Sequence, residues 1–228
     1  MASEFTAAAP RQTPPMSIKL FELLLQAAIY TVTISVVSIL IGFAIAIVVS
    51  AMLLSRQRLL ALQARIFISF FRGVPLLVQL LLIYNLLPAI GINVPSIVAA
   101  IIGLSLCTAA YQAENLRGGF SSVPAGLVES AEMVGMTPVQ IFRRIKAPIA
   151  LRLTFPALVN EAILILKASS LVSVVGVIEL TRMAQDLAGS TFLPLEIFAS
   201  AGLIYLVINW IVALAGGLVE RSLPGVPR

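Results

Sequence analysis

Glu129-Ser130-Ala131-Glu132-Met133-Val134-Gly135-Met136-Thr137-Pro138-Val139-Gln140-Ile141-Phe142-Arg143-Arg144-Ile145-Lys146-Ala147-Pro148 is a polar, charged stretch set between very hydrophobic ones. It reads as two short helices around a glycine turn. The first helix is expected to start at Ser121-Ser122-Val123-Pro124, with serine as cap and proline in the first turn. Gly135 breaks the helical pattern and suits a backbone with positive φ. Thr137-Pro138-Val139-Gln140 restarts the helix: threonine caps, proline fits the first helical position, and glutamine three residues on completes a capping box. Pro148 is expected to close this second piece. Arg143, Arg144 and Lys146 sit near its C-terminal end, where the helix dipole favours cations. Val139, Phe142 and Ile145 form an apolar stripe at helical spacing. Such a segment has two readings. It can lie flat on lipid headgroups with its arginines on phosphates, or it can be a knob on which another protein docks. Two helices held by a defined turn favour the knob.

The rest of the chain says what the knob is attached to. Of 228 residues, 60% are hydrophobic and 11% charged, and the mean hydropathy is +1.06. A soluble domain of this size could not bury that much apolar surface, and several uncharged runs exceed the ~20 residues needed to cross a bilayer. The class is therefore an all-α, polytopic membrane protein; a β-barrel would show short alternating segments instead. The net charge of +5 is assigned to membrane topology and not to nucleic acid. Cys107 is the single cysteine, inside an apolar run, so it reads as a packed thiol. The chain has no histidine, which removes the commonest metal ligand and general base.

Five spans are expected. Leu23 to Ser55 is the first uncharged run, followed by a basic loop carrying Arg56, Arg58, Arg65 and Arg72. Gly73 to Ala113 is too long for one helix and is divided by Pro88, Gly91 and Pro95. A long polar loop from Arg117 to Arg152 follows, then an apolar run from Leu153 to Ile178 and a last span from Ile197 to Val219. Residues 1–18 read as a flexible lead and 19–228 as one membrane domain, with the loop at about 121–149. With five spans, the basic residues of the first and third loops and the C-terminus share one side, so that side is cytoplasmic. The N-terminus is then outside and the C-terminus inside.

The polar loop resembles the EAA loop of ABC-importer membrane subunits: Glu-Ala-Ala, three residues, Gly, nine residues, Ile, one residue, Leu-Pro. Glu129, Ala131, Gly135, Ile145 and Pro148 match at those spacings, with Ser130 and Ala147 replacing an alanine and the leucine. Flanking segments extend the likeness to the polar amino acid permeases (histidine, glutamate, glutamine, arginine and opines). Arg72-Gly73-Val74-Pro75-Leu76-Leu77-Val78-Gln79 resembles their Arg-Gly-Thr-Pro-Leu-Leu-Val-Gln element. Ala110-Tyr111-Gln112-Ala113-Glu114-Asn115-Leu116-Arg117-Gly118 resembles their Ala-Tyr-x-x-Glu-x-x-Arg-Gly. Asn160-Glu161, Lys167-Ala168-Ser169-Ser170-Leu171 and Glu179-Leu180 resemble further family positions, although Ala168 and Ser169 stand where Asp and Thr are usual.

The resemblance implies a membrane subunit of an ATP-driven importer in the bacterial cytoplasmic membrane. It implies a second permease chain, identical or a sister, cytoplasmic ATPase subunits that bind ATP and Mg, an extracytoplasmic solute-binding protein, and surrounding lipid. This chain has no Gly-x-x-x-x-Gly-Lys-Ser/Thr loop of its own, and no catalytic residue, cofactor or metal is expected in it. The ATPase-coupling set is Glu129, Ala131, Gly135, Arg143, Arg144, Ile145 and Pro148, with Glu129 anchoring the loop by a salt bridge or cap and the arginines meeting the ATPase. A second set of polar residues sits in the apolar runs: Gln79, Asn85, Glu114, Asn160, Glu161 and Lys167. Intramembrane polar groups face a bundle interior or wet cavity, so these are candidates to line a translocation cavity, with helix-end anchoring and interhelix hydrogen bonding as the structural alternative. Glu161 and Lys167 are six apart and do not share a helix face; an ion pair would need another partner, such as Glu114. The alternative function is an ion-coupled secondary transporter of small polar solutes that uses these same charges.

Overall fold

The structure is a computed structural model and describes residues 17–222. The expectation of a flexible lead falls almost wholly outside the described residues. Every regular element within them is helical. In order they are α1 (Ile18–Leu53), α2 (Arg58–Gly73), α3 (Leu76–Ala89), α4 (Ser96–Ser121), α5 (Ala125–Met133), α6 (Pro138–Ile141), a π-turn (Phe142–Lys146), α7 (Ala147–Ala168), a 3-10 turn (Ser169–Val175), α8 (Leu180–Thr191) and α9 (Pro194–Ser222).

At 1.5 Å per residue, the 36 residues of α1 run to about 54 Å, well beyond the ~30 Å of a bilayer core. α1 is the spine of the fold. Three buried apolar clusters lie along it. Leu24 and Ala28 pack with Leu180, Ala184, Ile197 and Ala201 of α8 and α9. Ile34 packs with Leu80, Ala100, Leu104 and Val172. Ala46 and Val49 pack with Ala64, Ile68, Ala110 and Ala113. The closest neighbour of α1 is α4. They approach this tightly because Gly42 has no side chain: a Cβ there would collide with the Thr108 side chain and lie 2.9 Å from the Ser105 carbonyl. α7 packs on α4, and α9 on α7 and α8.

Four helical stretches are long and apolar enough to cross a membrane: Ile18–Leu53, Ser96–Ser121, Pro138–Val175 and Pro194–Ser222. A fifth crossing arises if Arg58–Gly73 and Leu76–Ala89, bent by 108° at their junction, count as one span. With 14 residues, α3 covers only about 21 Å by itself.

The sequence expectations need four corrections. The basic loop from Arg56 to Arg72 is largely the helix α2, because its apolar residues recur at helical spacing and bury Ala64 and Ile68. Ser121 and Ser122 do not start a helix; they end α4, and the Ser122 hydroxyl donates to the Gly118 carbonyl at 2.9 Å. Arg117 accordingly lies within α4 and not in a loop. Pro148 does not close the second short helix of the polar segment. It sits in the first turn of α7, and Pro138 to Val175 is one continuous helical stretch.

Candidate functional site

The polar segment folds as its residues require. α5 ends in a Schellman turn: the Met136 N–H donates to the Ala131 carbonyl at 3.1 Å, and the Gly135 N–H to the Glu132 carbonyl at 3.0 Å. Gly135 takes φ +78°, which L side chains rarely adopt. This explains the spacing of four between Ala131 and Gly135: the carbonyl at one position receives the amide that follows the other. Ala131 is buried. The capping box is present. The Gln140 amide N–H donates to the Thr137 hydroxyl at 3.4 Å, and the Thr137 N–H to the Gln140 side-chain oxygen at 2.9 Å.

After one turn of α6 the helix widens. The Ala147 N–H donates to the Phe142 carbonyl five residues back, a π-type bond. Pro148 explains the widening: it has no N–H for the carbonyl four residues behind it, and its ring would strike that carbonyl in a regular α-turn. The π-turn carries Arg143, Arg144 and Lys146. Phe142 stacks on Phe120 of α4, centroids 5.8 Å apart and planes within 9°, so the turn is braced against the end of another span.

Around this frame the tip is exposed. Met133, Val134 and Val139 are 85%, 77% and 66% accessible, and Arg143 and Arg144 are exposed while Ile145 is half-buried. Glu129 is exposed and makes no ion pair or hydrogen bond with another described residue, so no bond among the described residues anchors the segment through it.

The intramembrane polar residues divide into three groups. Gln79 is buried, and its amide donates to the Phe71 carbonyl at 2.8 Å and the Val74 carbonyl at 2.7 Å. It clamps the elbow between α2 and α3. Asn85 is exposed, donates to the Leu81 carbonyl at 2.7 Å, and lines a shallow apolar recess of ≈420 Å³ on α3.

The second group gathers where the end of α2 meets the middle of α4 and of α7. Glu114 is half-buried and held by Arg117, whose Nε donates to both carboxylate oxygens at 3.0 Å. The Arg72 guanidinium lies over the Tyr111 ring, 5.2 Å from its centroid, close enough to act on both Glu114 and Glu161. Glu161 is buried and faces the Thr108 hydroxyl, which also accepts from the Gln112 amide at 3.1 Å. Glu161 has no salt-bridge partner among the described residues; Glu114 is taken by Arg117. The site thus holds a buried carboxylate, a nearby guanidinium and uncharged donors, a set suited to groups of either sign.

The third group, Asn160 and Lys167, does not join it. Both are exposed and lie seven residues apart on one face of α7, with exposed Leu164 between them.

Sequence reasoning missed Thr108, and used Arg72 and Gln112 only as topology signal or motif letter. Thr108 and Gln112 are i,i+4 on α4, a signal that was readable. A second buried network was also missed. Glu179 caps α8, accepting from the Thr181 and Arg182 amides at 2.8 Å and from the Tyr205 hydroxyl at 2.9 Å. The Leu180 amide donates to Thr31 of α1 at 3.0 Å. The signal was an acidic residue directly before an amphipathic run.

Comparison with known proteins places the arrangement. Residues 38–224 match the family described as binding-protein-dependent transport system inner membrane component. The nopaline transport system permease protein NocM of Agrobacterium fabrum is 40% identical over 214 residues, 89% of this chain and 88% of that protein. The octopine transport system permease protein OccM of Rhizobium meliloti is 41% identical over 198 residues, 83% of this chain and 81% of that protein. The crystal structure of an amino acid ABC transporter with histidines superposes with a TM-score of 0.85 at 35% identity, covering 90% of this chain and 96% of that one. An all-helical bundle with a braced polar knob, matched over most of its length, thus has its place: this chain belongs to the inner membrane components of binding-protein-dependent transport systems, permease subunits whose ATPase is a separate protein.

Proposed function

We propose that this chain imports polar amino acids or their derivatives, with opines and basic amino acids as the first cargo to test. Support comes from the relatives: nopaline and octopine permeases at 40% and 41% identity, and an arginine permease of Bacillus subtilis at 35% identity over 88% of this chain. The chain crosses the membrane five times, the second crossing being made by α3 with α2 folded back at its end, its N-terminus outside and its C-terminus in the cytoplasm. It works beside a second permease chain, takes cargo from a solute-binding protein, and couples to ATPase subunits through residues 121–149.

The observation that carries the coupling role is the knob. Three large apolar side chains and two arginines without an ion pair among the described residues project from a frame fixed by Gly135, the capping box and the Phe120–Phe142 stack. Exposed apolar groups rimmed by charge mark a protein contact. Ala131 and Gly135 shape the knob, Arg143 and Arg144 contact the ATPase, and Ile145 and Pro148 join it to α7. Glu129 is left to meet the partner.

For cargo, Glu161, buried here and without a salt-bridge partner among the described residues, is the carboxylate that would meet an ammonium or guanidinium once the helices around it part, with Arg72 near it. Asn160 and Lys167 face out of the subunit from an apolar span, as expected of groups that border a path between two chains. Glu114 positions Arg117, and Gln79 and Asn85 act on α3 itself.

The test is uptake by the complex in proteoliposomes, with the solute-binding protein outside and ATP inside. Labelled arginine, octopine, nopaline and glutamine are offered in competition. ATP-dependent, vanadate-sensitive uptake of at least one supports the reading. Uptake driven by a proton gradient without ATP overturns it.

A further inference from the structure

α2 has three faces, and two of them are unexplained by the coupling role. One face, with Ala64 and Ile68, is buried against α1 and α4 beside Phe67 and Phe71. A second carries Leu59, Leu62, Ile66 and Phe70, which are large, apolar and all exposed. Their spacing of three, four and four residues sets them in one stripe. Between these faces run Arg58, Arg65 and Arg72. Spaced by seven, they follow a single line along the helix.

Arg72 is engaged with Tyr111. Arg58 and Arg65 are exposed and make no ion pair or hydrogen bond with any described residue. Acidic partners are also far in sequence, since no Asp or Glu occurs between Glu22 and Glu114. The 108° bend at the elbow sets α2 nearly perpendicular to α3, so that when α3 stands along the membrane normal α2 lies in the membrane plane.

We propose that α2 is a bilayer-surface helix whose Arg58–Arg65 line binds the headgroup phosphate of an anionic phospholipid, while Leu59, Leu62, Ile66 and Phe70 enter its acyl region. Charge and shape agree on this occupant. Two unpartnered guanidiniums suit phosphate, and an apolar stripe beside a cationic edge is the pattern of a helix lying at the lipid interface. A protein partner would have to cover a long, narrow stripe that lies level with lipid tails. The inference needs only the geometry of α2 and stands apart from the identity of the cargo.

The test is native mass spectrometry of the full-length chain in mild detergent, titrated with phosphatidylglycerol or phosphatidylcholine. The wild type retains phosphatidylglycerol in preference. The Arg58→Gln/Arg65→Gln variant loses that preference by roughly 30-fold, from about 1 kcal/mol for each basic residue at an anionic surface. The Arg58→Lys/Arg65→Lys variant keeps most of it, which separates lost charge from misfolding. Arg221→Gln serves as a control for net charge and leaves the preference intact. Equal retention of both lipids by the wild type overturns the proposal. So does a loss as large in Arg221→Gln, or unchanged lipid retention in Arg58→Gln/Arg65→Gln with loss of a co-purifying protein, which would make this a protein-docking face.

Discussion

At the scale of single residues, backbone geometry decides more than side-chain chemistry. A Cβ on Gly135 would meet no neighbouring atom within 4 Å, so space is not the constraint; φ +78° is. Gly135→Val places a β-branched residue there at a cost of about 1–3 kcal/mol, enough to unwind the turn that orients the knob. We expect normal insertion but loss of the co-purifying ATPase, or ATP hydrolysis without uptake. Gly135→Asn, which tolerates a left-handed backbone, should keep most activity, and normal uptake by the valine variant would refute the turn's role. Gln79 gives a second case. Gln79→Leu leaves the part-buried Phe71 and Val74 carbonyls without their donor at the elbow, at about 1 kcal/mol for each hydrogen bond lost. A clear fall in the thermal midpoint of the detergent-solubilised protein is expected, and an unchanged midpoint would show that the elbow does not depend on this clamp.

At the scale of elements, the π-turn is the feature with mechanical content. It joins α6 to α7 without a break, so the knob and a candidate span form one continuous helical stretch, through which the proposed coupling would act. Pro148→Ala restores an N–H and removes the ring clash that widens the helix. The helix then gains stability, while Arg143 and Arg144 turn away from their native direction. The expected result is an equal or higher thermal midpoint with a lower ratio of uptake to ATP hydrolysis; an unchanged ratio would mean the widened turn is not needed. Legibility in the sequence differed by element. α1 and α9 could be read from uninterrupted apolar runs. α2 was missed because its arginines, which mark topology, also mark a loop, although Leu59, Leu62, Ile66 and Phe70 recur at helical spacing in the sequence itself. Pro148 was ambiguous for a plain reason: proline follows one helix and begins another equally well, and only the continuity of the backbone decides.

For the whole molecule, the site follows the same rule. Gly135, the capping box and the exposed knob lie within one local segment and were readable. The cluster of Arg72, Thr108, Gln112 and Glu161 is drawn from α2, α4 and α7, and no local pattern announces which distant polar residues will meet. The orientation offers a direct check. Cys107 is buried and is the single cysteine, so Cys107→Ala gives a clean background. A membrane-impermeant thiol reagent added to intact cells should label Asn93→Cys, in the turn after α3, and spare Gln57→Cys, just before α2. The reverse pattern would invert the topology.

The place of α1 bears on how such a chain is made. α1 leaves the ribosome well before α8 and α9, so Thr31 on its buried face awaits the Leu180 amide, 149 residues later, and Leu24 and Ala28 await α8 and α9. Until those segments emerge, this face has only lipid or insertion machinery to meet. This part of the bundle therefore closes late, when α8 and α9 pack over α1. A chain that stalls before α8 would leave that face open, a surface by which quality control could tell an unfinished subunit from a finished one.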